Sequence, residues 1–85
     1  MPYRVVILRA ARDQLRNAPP RLLGYVDGIL AVLRVDPNTA TAAFDLRIVD
    51  DELREAIFAA GHGMLGIWVL KEQRVIALTH VTWVG

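Results

Sequence analysis

The fold is decided by residues 53–84, which read LREAIFAAGHGMLGIWVLKEQRVIALTHVTWV. Two short polar or glycine-rich turns, Gly61-His62-Gly63 and Lys71-Glu72-Gln73-Arg74, divide this stretch into three β-patterned runs. The runs predict strands at residues 53–60, 65–70 and 75–84, joined as a meander. The middle run is apolar on both faces, which favours the centre of a sheet.

The N-terminal half adds one strand and two helices. Residues 3–8, Tyr-Arg-Val-Val-Ile-Leu, predict a strand near the centre of the sheet, because both of its faces are largely apolar. Residues 10–17 predict a short helix that ends at Pro19-Pro20. A second helix is expected to begin at about Pro20 and to stop at Asp36-Pro37. Its inner stripe repeats at helical spacing and consists of Leu22, Val26, Ile29 and Leu33.

These elements predict the fold class. Residues 38–45 are mostly small and are expected to form a loop. The resulting order, β-α-α-β-β-β, predicts an α+β protein whose helical hairpin packs on one face of a four-stranded, mostly antiparallel sheet. With 85 residues, the chain has room for a single domain, spanning residues 1–85.

Composition excludes several kinds of function. The chain has no cysteine, which rules out disulfides, cysteine-based zinc sites and a cysteine nucleophile. It has only two histidines, so neither a metal site nor a cofactor is expected. The net charge of +1 argues against strong non-specific binding of nucleic acid.

The distribution of apolar residues bears on the location of the protein in the cell and on its need for a partner. The longest uncharged run covers residues 56–70, too short to cross a bilayer, and no basic-then-apolar leader opens the chain. We therefore expect a cytoplasmic protein with no membrane association. Hydrophobic residues make up 54% of the chain, more than a small two-layer core should hide. An exposed apolar surface is expected, covered by a partner chain or by a second copy.

The order of elements and several landmarks resemble the RelE/ParE superfamily, the toxins of bacterial type II toxin–antitoxin systems. The landmarks are the first strand, an arginine-rich short helix, a proline turn, a long helix closed by Asp36-Pro37, a Leu46-Arg47 pair and the Gly61-His62-Gly63 turn. The resemblance implies a growth-blocking protein that a cognate antitoxin neutralises. RelE-like toxins enter the ribosomal A site and cut messenger RNA, whereas ParE-like toxins inhibit DNA gyrase without known catalytic residues. A degenerate homologue that only binds its antitoxin is a third alternative, so whether the chain is an enzyme stays open here.

The resemblance also implies site residues. Arg54 falls at a basic position of the first meander strand, but Ala56 occupies the next one. Gly63 or Met64 replaces the arginine expected at the start of the central strand. The expected catalytic residues are therefore Arg54, His62 and His80. The expected RNA-binding residues are Arg47, Trp83 and the arginines of the first helix, Arg9, Arg12 and Arg16.

Each of these residues also has a structural interpretation. Arg54 could pair with Glu52 or Glu72 on an edge strand, and Arg47 could clamp the preceding loop. The arginines of the first helix could form a solvated face.

The remaining aromatic and titratable side chains can also be given either a functional or a structural interpretation. His62 could be an exposed turn residue and His80 a partly buried one, although an imidazole titrates near neutrality and suits acid–base chemistry. Trp68 is expected in the core. Glu55 alternates to the sheet face opposite Arg54, so these two residues are not expected to form an acid–base pair.

Overall fold

The computed structural model describes residues 2–84 as two helices and one five-stranded sheet. In chain order the elements are β1 (Arg4–Ile7), α1 (Arg9–Arg16), α2 (Pro20–Leu33), β2 (Phe44–Ile48), β3 (Leu53–Phe58), β4 (Gly63–Leu70) and β5 (Val75–Trp83). A short left-handed turn over Ala59–Gly61 links β3 to β4. The α+β class and the helical hairpin are as the sequence predicted. No helix within residues 2–84 has the length and apolar character needed to cross a membrane.

The strands lie in the order β1-β5-β4-β3-β2. β1 runs parallel to β5, and the other neighbouring pairs are antiparallel. The central position predicted for residues 65–70 is confirmed, because β4 lies between β3 and β5. The meander therefore forms the middle of the sheet, and β1 and β2 form its two edges.

Two predictions about the edges of the sheet were wrong. The sheet has five strands rather than four, because Phe44–Ile48, predicted partly as loop, pairs with β3. Three of its five residues are exposed, so the apolar signal of this strand is weak. β1 is an edge strand rather than a central one. Apolar residues on both faces of a strand indicate that its side chains are buried. They do not require that another strand pairs with each of its edges.

One face of the sheet carries the core, and we call it the helix face. The predicted stripe of α2, Leu22, Val26, Ile29 and Leu33, is buried against it, together with Ala11 of α1. Along β3 the alternating residues Arg54, Ala56 and Phe58 point to this face and are buried. The two helices thus cover one side of the sheet, and the opposite side, which we call the open face, is left without a helical layer.

Trp68 does not belong to the core, contrary to the prediction. It is paired with Leu53 of β3 and Ala77 of β5, and its side chain lies on the open face with 46% of its surface exposed. The register explains the difference. Its strand neighbours Ile67 and Val69 take the buried helix-face positions, and side chains alternate along a strand.

α1 seals part of the β5 edge. β1 pairs only with residues 75–78 of β5, so the C-terminal part of β5 has no strand on that side. The side-chain Oε1 of Gln14 accepts a hydrogen bond from the backbone amide of Val81 at 2.6 Å. α1 therefore packs beside the second half of β5, on the side where no strand pairs with it.

Gly66 provides a stability test with a matched control. A Cβ at Gly66 would overlap the His80 imidazole and lie 2.7 Å from the hydroxyl oxygen of Thr79, whereas a Cβ at Gly24 of α2 would meet nothing within 4 Å. We expect Gly66→Ala to lower the free energy of unfolding by about 1–3 kcal/mol. Gly24→Ala should raise it by about 0.5–1 kcal/mol, because alanine favours a helix interior. Urea denaturation of the two variants measures both effects, and equal midpoints would contradict the close packing at Gly66.

Candidate functional site

The three residues predicted to be catalytic do not converge. Arg54 pairs with Ile67 at one end of the sheet, and His62 directly precedes Gly63 at the other end. Arg54 and Phe58, the β3 partner of Gly63, are four residue steps apart, which is roughly 13 Å along the strand. His80 pairs with Gly66 on the open face, whereas Arg54 lies on the helix face. A single active site built from all three residues is therefore not what the fold assembles.

Arg54 is a structural anchor in this fold. Its side chain is only 3% exposed. The guanidinium donates hydrogen bonds to the amide oxygen of Asn38, at 3.0 and 3.2 Å, and to the backbone carbonyl of Asp50 at 2.7 Å. These bonds tie the loop after α2 to the β2–β3 turn. The predicted pairing with Glu52 or Glu72 on an edge strand was wrong, because β3 is an interior strand and the partners are an amide and carbonyls.

The β2–β3 turn that Arg54 holds is itself well ordered by hydrogen bonds. The carboxylate of Asp50 accepts bonds from the backbone amides of Leu53 and Glu52, at 2.8 and 2.9 Å. These two bonds, with a smaller contribution from the nearby Arg54 charge, hold the pKa of Asp50 below its ordinary value. The turn therefore presents an ionised carboxylate to its own backbone.

The open face carries a cross-strand row of polar residues. Arg47 of β2 is paired with Glu55 of β3, Glu55 with Gly66 of β4, and Gly66 with His80 of β5. Arg47 and Glu55 form a salt bridge, which gives the exposed Arg47 side chain a local partner. The missing side chain of Gly66 makes room for the His80 imidazole, whose Nδ1 lies 3.0 Å from the hydroxyl of Thr79. As predicted, Glu55 faces away from Arg54.

A pocket of about 550 Å³ lies at the end of the sheet where β4 begins and β5 ends. We call it the end pocket. It is lined by Arg21, Tyr25, Ala59, Ala60, His62, Trp83 and Val84. Two of the predicted site residues, His62 and Trp83, meet here with a cation from α2. The end pocket is thus the place where predicted functional residues come together.

Aromatic packing fixes the wall of the end pocket. The Trp83 ring lies 6.2 Å from the Phe58 ring and 6.3 Å from the Tyr25 ring, between centroids. The guanidinium carbon of Arg21 lies 5.8 Å from the Trp83 centroid, within the range of a cation–π contact. Arg21 is exposed, so its charge stays accessible at the rim. α2 and β5 therefore place a positive charge beside a half-buried indole.

The β3–β4 turn holds His62 in place. Ala59, Ala60 and Gly61 have φ angles of 53°, 55° and 89°, a run of left-handed conformations that side-chain-bearing residues seldom adopt. After this turn the backbone carbonyl of His62 accepts a hydrogen bond from the Val84 amide at 2.8 Å, and the His62 Nδ1 lies 3.0 Å from the Val84 carbonyl oxygen. A carbonyl only accepts, so Nδ1 carries a proton. In the neutral ring, Nε2 is then the free acceptor.

The end pocket therefore combines a cation, a proton acceptor of defined tautomer and an aromatic surface. These groups suit a ligand that has a phosphate and a planar base. Of the residues that line the end pocket, sequence reasoning had proposed His62 and Trp83 as site residues but not Arg21 and Tyr25. Both missed residues lie on α2, and only the packing of α2 against β3 and β5 brings them to the turn. Their adjacency at i and i+4 on a helix was the one local signal.

The arginines of α1 are exposed, as the prediction of a basic stripe requires. Arg12 donates a hydrogen bond to the Ile7 carbonyl at 3.3 Å, and Arg16 lies 3.8 Å from a carboxylate oxygen of Asp13. α1 lies along β5, beside the Gln14 contact described above. No cluster of metal-ligating side chains occurs within residues 2–84.

Solved structures resemble this chain over its full length. A chain of the RelBE2 toxin–antitoxin complex from Mycobacterium tuberculosis superposes with a TM-score of 0.72 at 23% identity, covering 99% of this chain and 100% of that one. For the isolated RelE toxin of E. coli the values are 0.77 and 16%, with 98% and 85% covered. For the archaeal RelE–RelB complex from Pyrococcus horikoshii they are 0.73 and 17%, with 98% and 96% covered. This chain has the RelE fold.

The RelE fold confirms, at the level of architecture, the resemblance drawn from the sequence. At these identities the likeness concerns the fold, and the chemistry has to be argued from the residues of this chain. No protein-family model matches the sequence, and no curated protein matches it. Within its RelE fold, the chain carries the end pocket on one side of the β3–β4 turn and the Arg47–His80 row on the open face.

Proposed function

We propose that this chain is the toxin of a type II toxin–antitoxin pair and that it cleaves messenger RNA in the ribosomal A site. The RelE fold supports the class of protein. The observation that carries the nuclease is the end pocket, where Arg21, His62 and Trp83 stand together. A cognate antitoxin is the proposed partner, as the solved toxin–antitoxin complexes of the same fold suggest, and the cytoplasm, where ribosomes work, is the proposed location.

The chemistry proposed for the end pocket is an internal transfer within RNA. Nε2 of His62 removes the proton from a ribose 2′-hydroxyl, and the 2′-oxygen attacks the adjacent phosphorus. The bond from phosphorus to the 5′-oxygen breaks, and water protonates the leaving oxygen. The products are a 2′,3′-cyclic phosphate and a free 5′-hydroxyl. The guanidinium of Arg21 stabilises the negative charge that builds on the phosphate in the transition state.

Trp83 and the exposed arginines have binding roles in this proposal. The indole of Trp83 offers a face on which a base can stack, which is sequence-tolerant. Arg9, Arg12 and Arg16 form an exposed cationic stripe that can contact ribosomal RNA phosphates and position the protein without reading sequence. Arg47 can contribute a further phosphate contact, in competition with its salt bridge to Glu55.

Primer extension on a defined messenger RNA in a purified translation system tests the nuclease. We expect new 5′ ends within the reading frame, only when ribosomes are translating. Liquid chromatography with mass spectrometry of the fragments should find 2′,3′-cyclic phosphate ends. Intact message in the presence of folded protein that still arrests growth would contradict the proposal.

A non-enzymatic inhibitor of DNA gyrase is the second candidate. The observation in its favour is the burial of Arg54, which takes one of the expected basic residues away from solvent, while Ala56 and Met64 supply no charge. A supercoiling assay with purified gyrase separates the two candidates. Inhibition of gyrase without any RNA cleavage would assign the protein to this second class.

A further inference from the structure

Trp68 is an unusual residue for the centre of a sheet. Its side chain is 46% exposed on β4, the central strand, and it lies on the open face. Its cross-strand neighbours there are the half-buried Leu53 and the small Ala77. A large indole on an uncovered sheet face is a site where another surface gains by docking.

Acidic residues lie beside this indole. Asp50, Asp51 and Glu52, in the β2–β3 turn, line a pocket of about 440 Å³ together with Trp68. Asp51, Glu52 and Glu72 line an adjoining groove of about 710 Å³, in which Lys71 is the one cationic residue of the described lining. Asp50 uses its carboxylate to order the turn. The side-chain carboxylates of Asp51 and Glu52 make no hydrogen bond or ion pair within residues 2–84, so both are available to a partner.

The combination of an exposed indole and free carboxylates indicates which chemical group would bind here. Carboxylates around the ring would repel the phosphates of RNA, and a purely apolar segment would leave them unpaired. A guanidinium satisfies both features, because it stacks on an aromatic face and forms bidentate bonds with carboxylates. We propose that Trp68, Asp51 and Glu52 form a docking surface for an arginine-bearing segment of another protein chain.

This surface is separate from the end pocket. Trp68 pairs with Leu53 at the start of β3, whereas the end pocket adjoins Gly63, five residues back along β4, roughly 16 Å away. The two sites also lie on different faces of the sheet, because Trp83 packs with α2 on the helix face. The docking surface therefore goes beyond the proposed nuclease and does not depend on it.

The test is a titration followed by heteronuclear NMR. The chain has two tryptophans, so its spectrum contains two indole N–H signals, and Trp68→Phe assigns them. If this variant fails to fold, triple-resonance spectra of the wild type give the same assignment. The added peptide is short, capped and carries two arginines in an alanine–glycine background. We expect saturable shifts of the Trp68 indole and of the amides of residues 50–53, weakening as salt is raised. The indole N–H signal of Trp83 should not shift.

Matched controls decide what the shifts mean. A peptide with citrulline in place of arginine keeps the shape without the charge and should not bind. Asp51→Asn with Glu52→Gln should weaken binding of the arginine peptide about fivefold or more, whereas Asp45→Asn, an exposed carboxylate of β2, should leave it unchanged. Equal shifts with the citrulline peptide would overturn the proposal. Shifts of the Trp68 signal with an RNA oligonucleotide, or with protein concentration alone, would also overturn it, in favour of nucleic acid or a second copy.

Discussion

Arg54→Ala is expected to lower the free energy of unfolding by about 3 kcal/mol, because it removes a buried side chain together with the charge-assisted hydrogen bonds that it donates to two loops. The acceptors are the Asn38 amide oxygen and the Asp50 carbonyl, which the guanidinium joins between two loops. For a domain of this size the loss corresponds to a fall in melting temperature of roughly 12–24 °C. Thermal unfolding followed by circular dichroism measures it.

Arg47→Ala is the matched control for this loss. Arg47 is an exposed arginine of the neighbouring strand with one salt bridge, and its removal should cost about 1 kcal/mol or less. Loss of growth arrest in Arg54→Ala would then follow from unfolding. If Arg54→Ala instead melts with the wild type and still abolishes growth arrest, the phosphate role first predicted for Arg54 is restored.

His62→Ala should reduce ribosome-dependent RNA cleavage by about 10²–10⁴-fold, the usual contribution of a positioned general base. The fold should survive the substitution, since His62 is exposed and loses one side-chain hydrogen bond to Val84. Cleavage rates from primer extension, with circular dichroism as a check on folding, measure the effect.

His80→Ala separates the two histidines of the chain. His80 lies on the open face, outside the end pocket, and its loss should change the cleavage rate by only a few-fold. The opposite pattern, an inactive His80→Ala with an active His62→Ala, would move the catalytic site to the Arg47–His80 row. Equal activity in both variants would remove histidine from the reaction.

The middle of the fold could be predicted from the sequence because its signals are local. The run of residues 65–70 is apolar on both faces, and the stripe of α2 repeats at helical spacing, so both elements follow from periodicity. β2 could not be predicted in this way. Its Asp45, Arg47 and Ile48 are exposed, and only pairing with β3 makes the segment a strand.

The orientation of β3 decides where the predicted residues of this strand lie. Strand alternation placed Arg54 and Glu55 on opposite faces, and this is confirmed. The sequence could not show which face meets the helices, because Leu53 and Ile57 are as apolar as Ala56 and Phe58 on the other side. The packing of α2 selects the face with Phe58, and Arg54 is buried with it. The same packing brings Arg21 and His62, 41 positions apart in the sequence, to the lining of one pocket.

The left-handed turn at Ala59 and Ala60 lowers the local stability of this end of the sheet. Each of these residues holds a conformation that costs roughly 1–2 kcal/mol for an L-amino acid, and no Cβ-free residue relieves it before Gly61. Local opening of the turn releases that strain. We therefore expect fraying to start at the two hydrogen bonds between His62 and Val84. The backbone amides there should exchange with solvent sooner than those of the central strands.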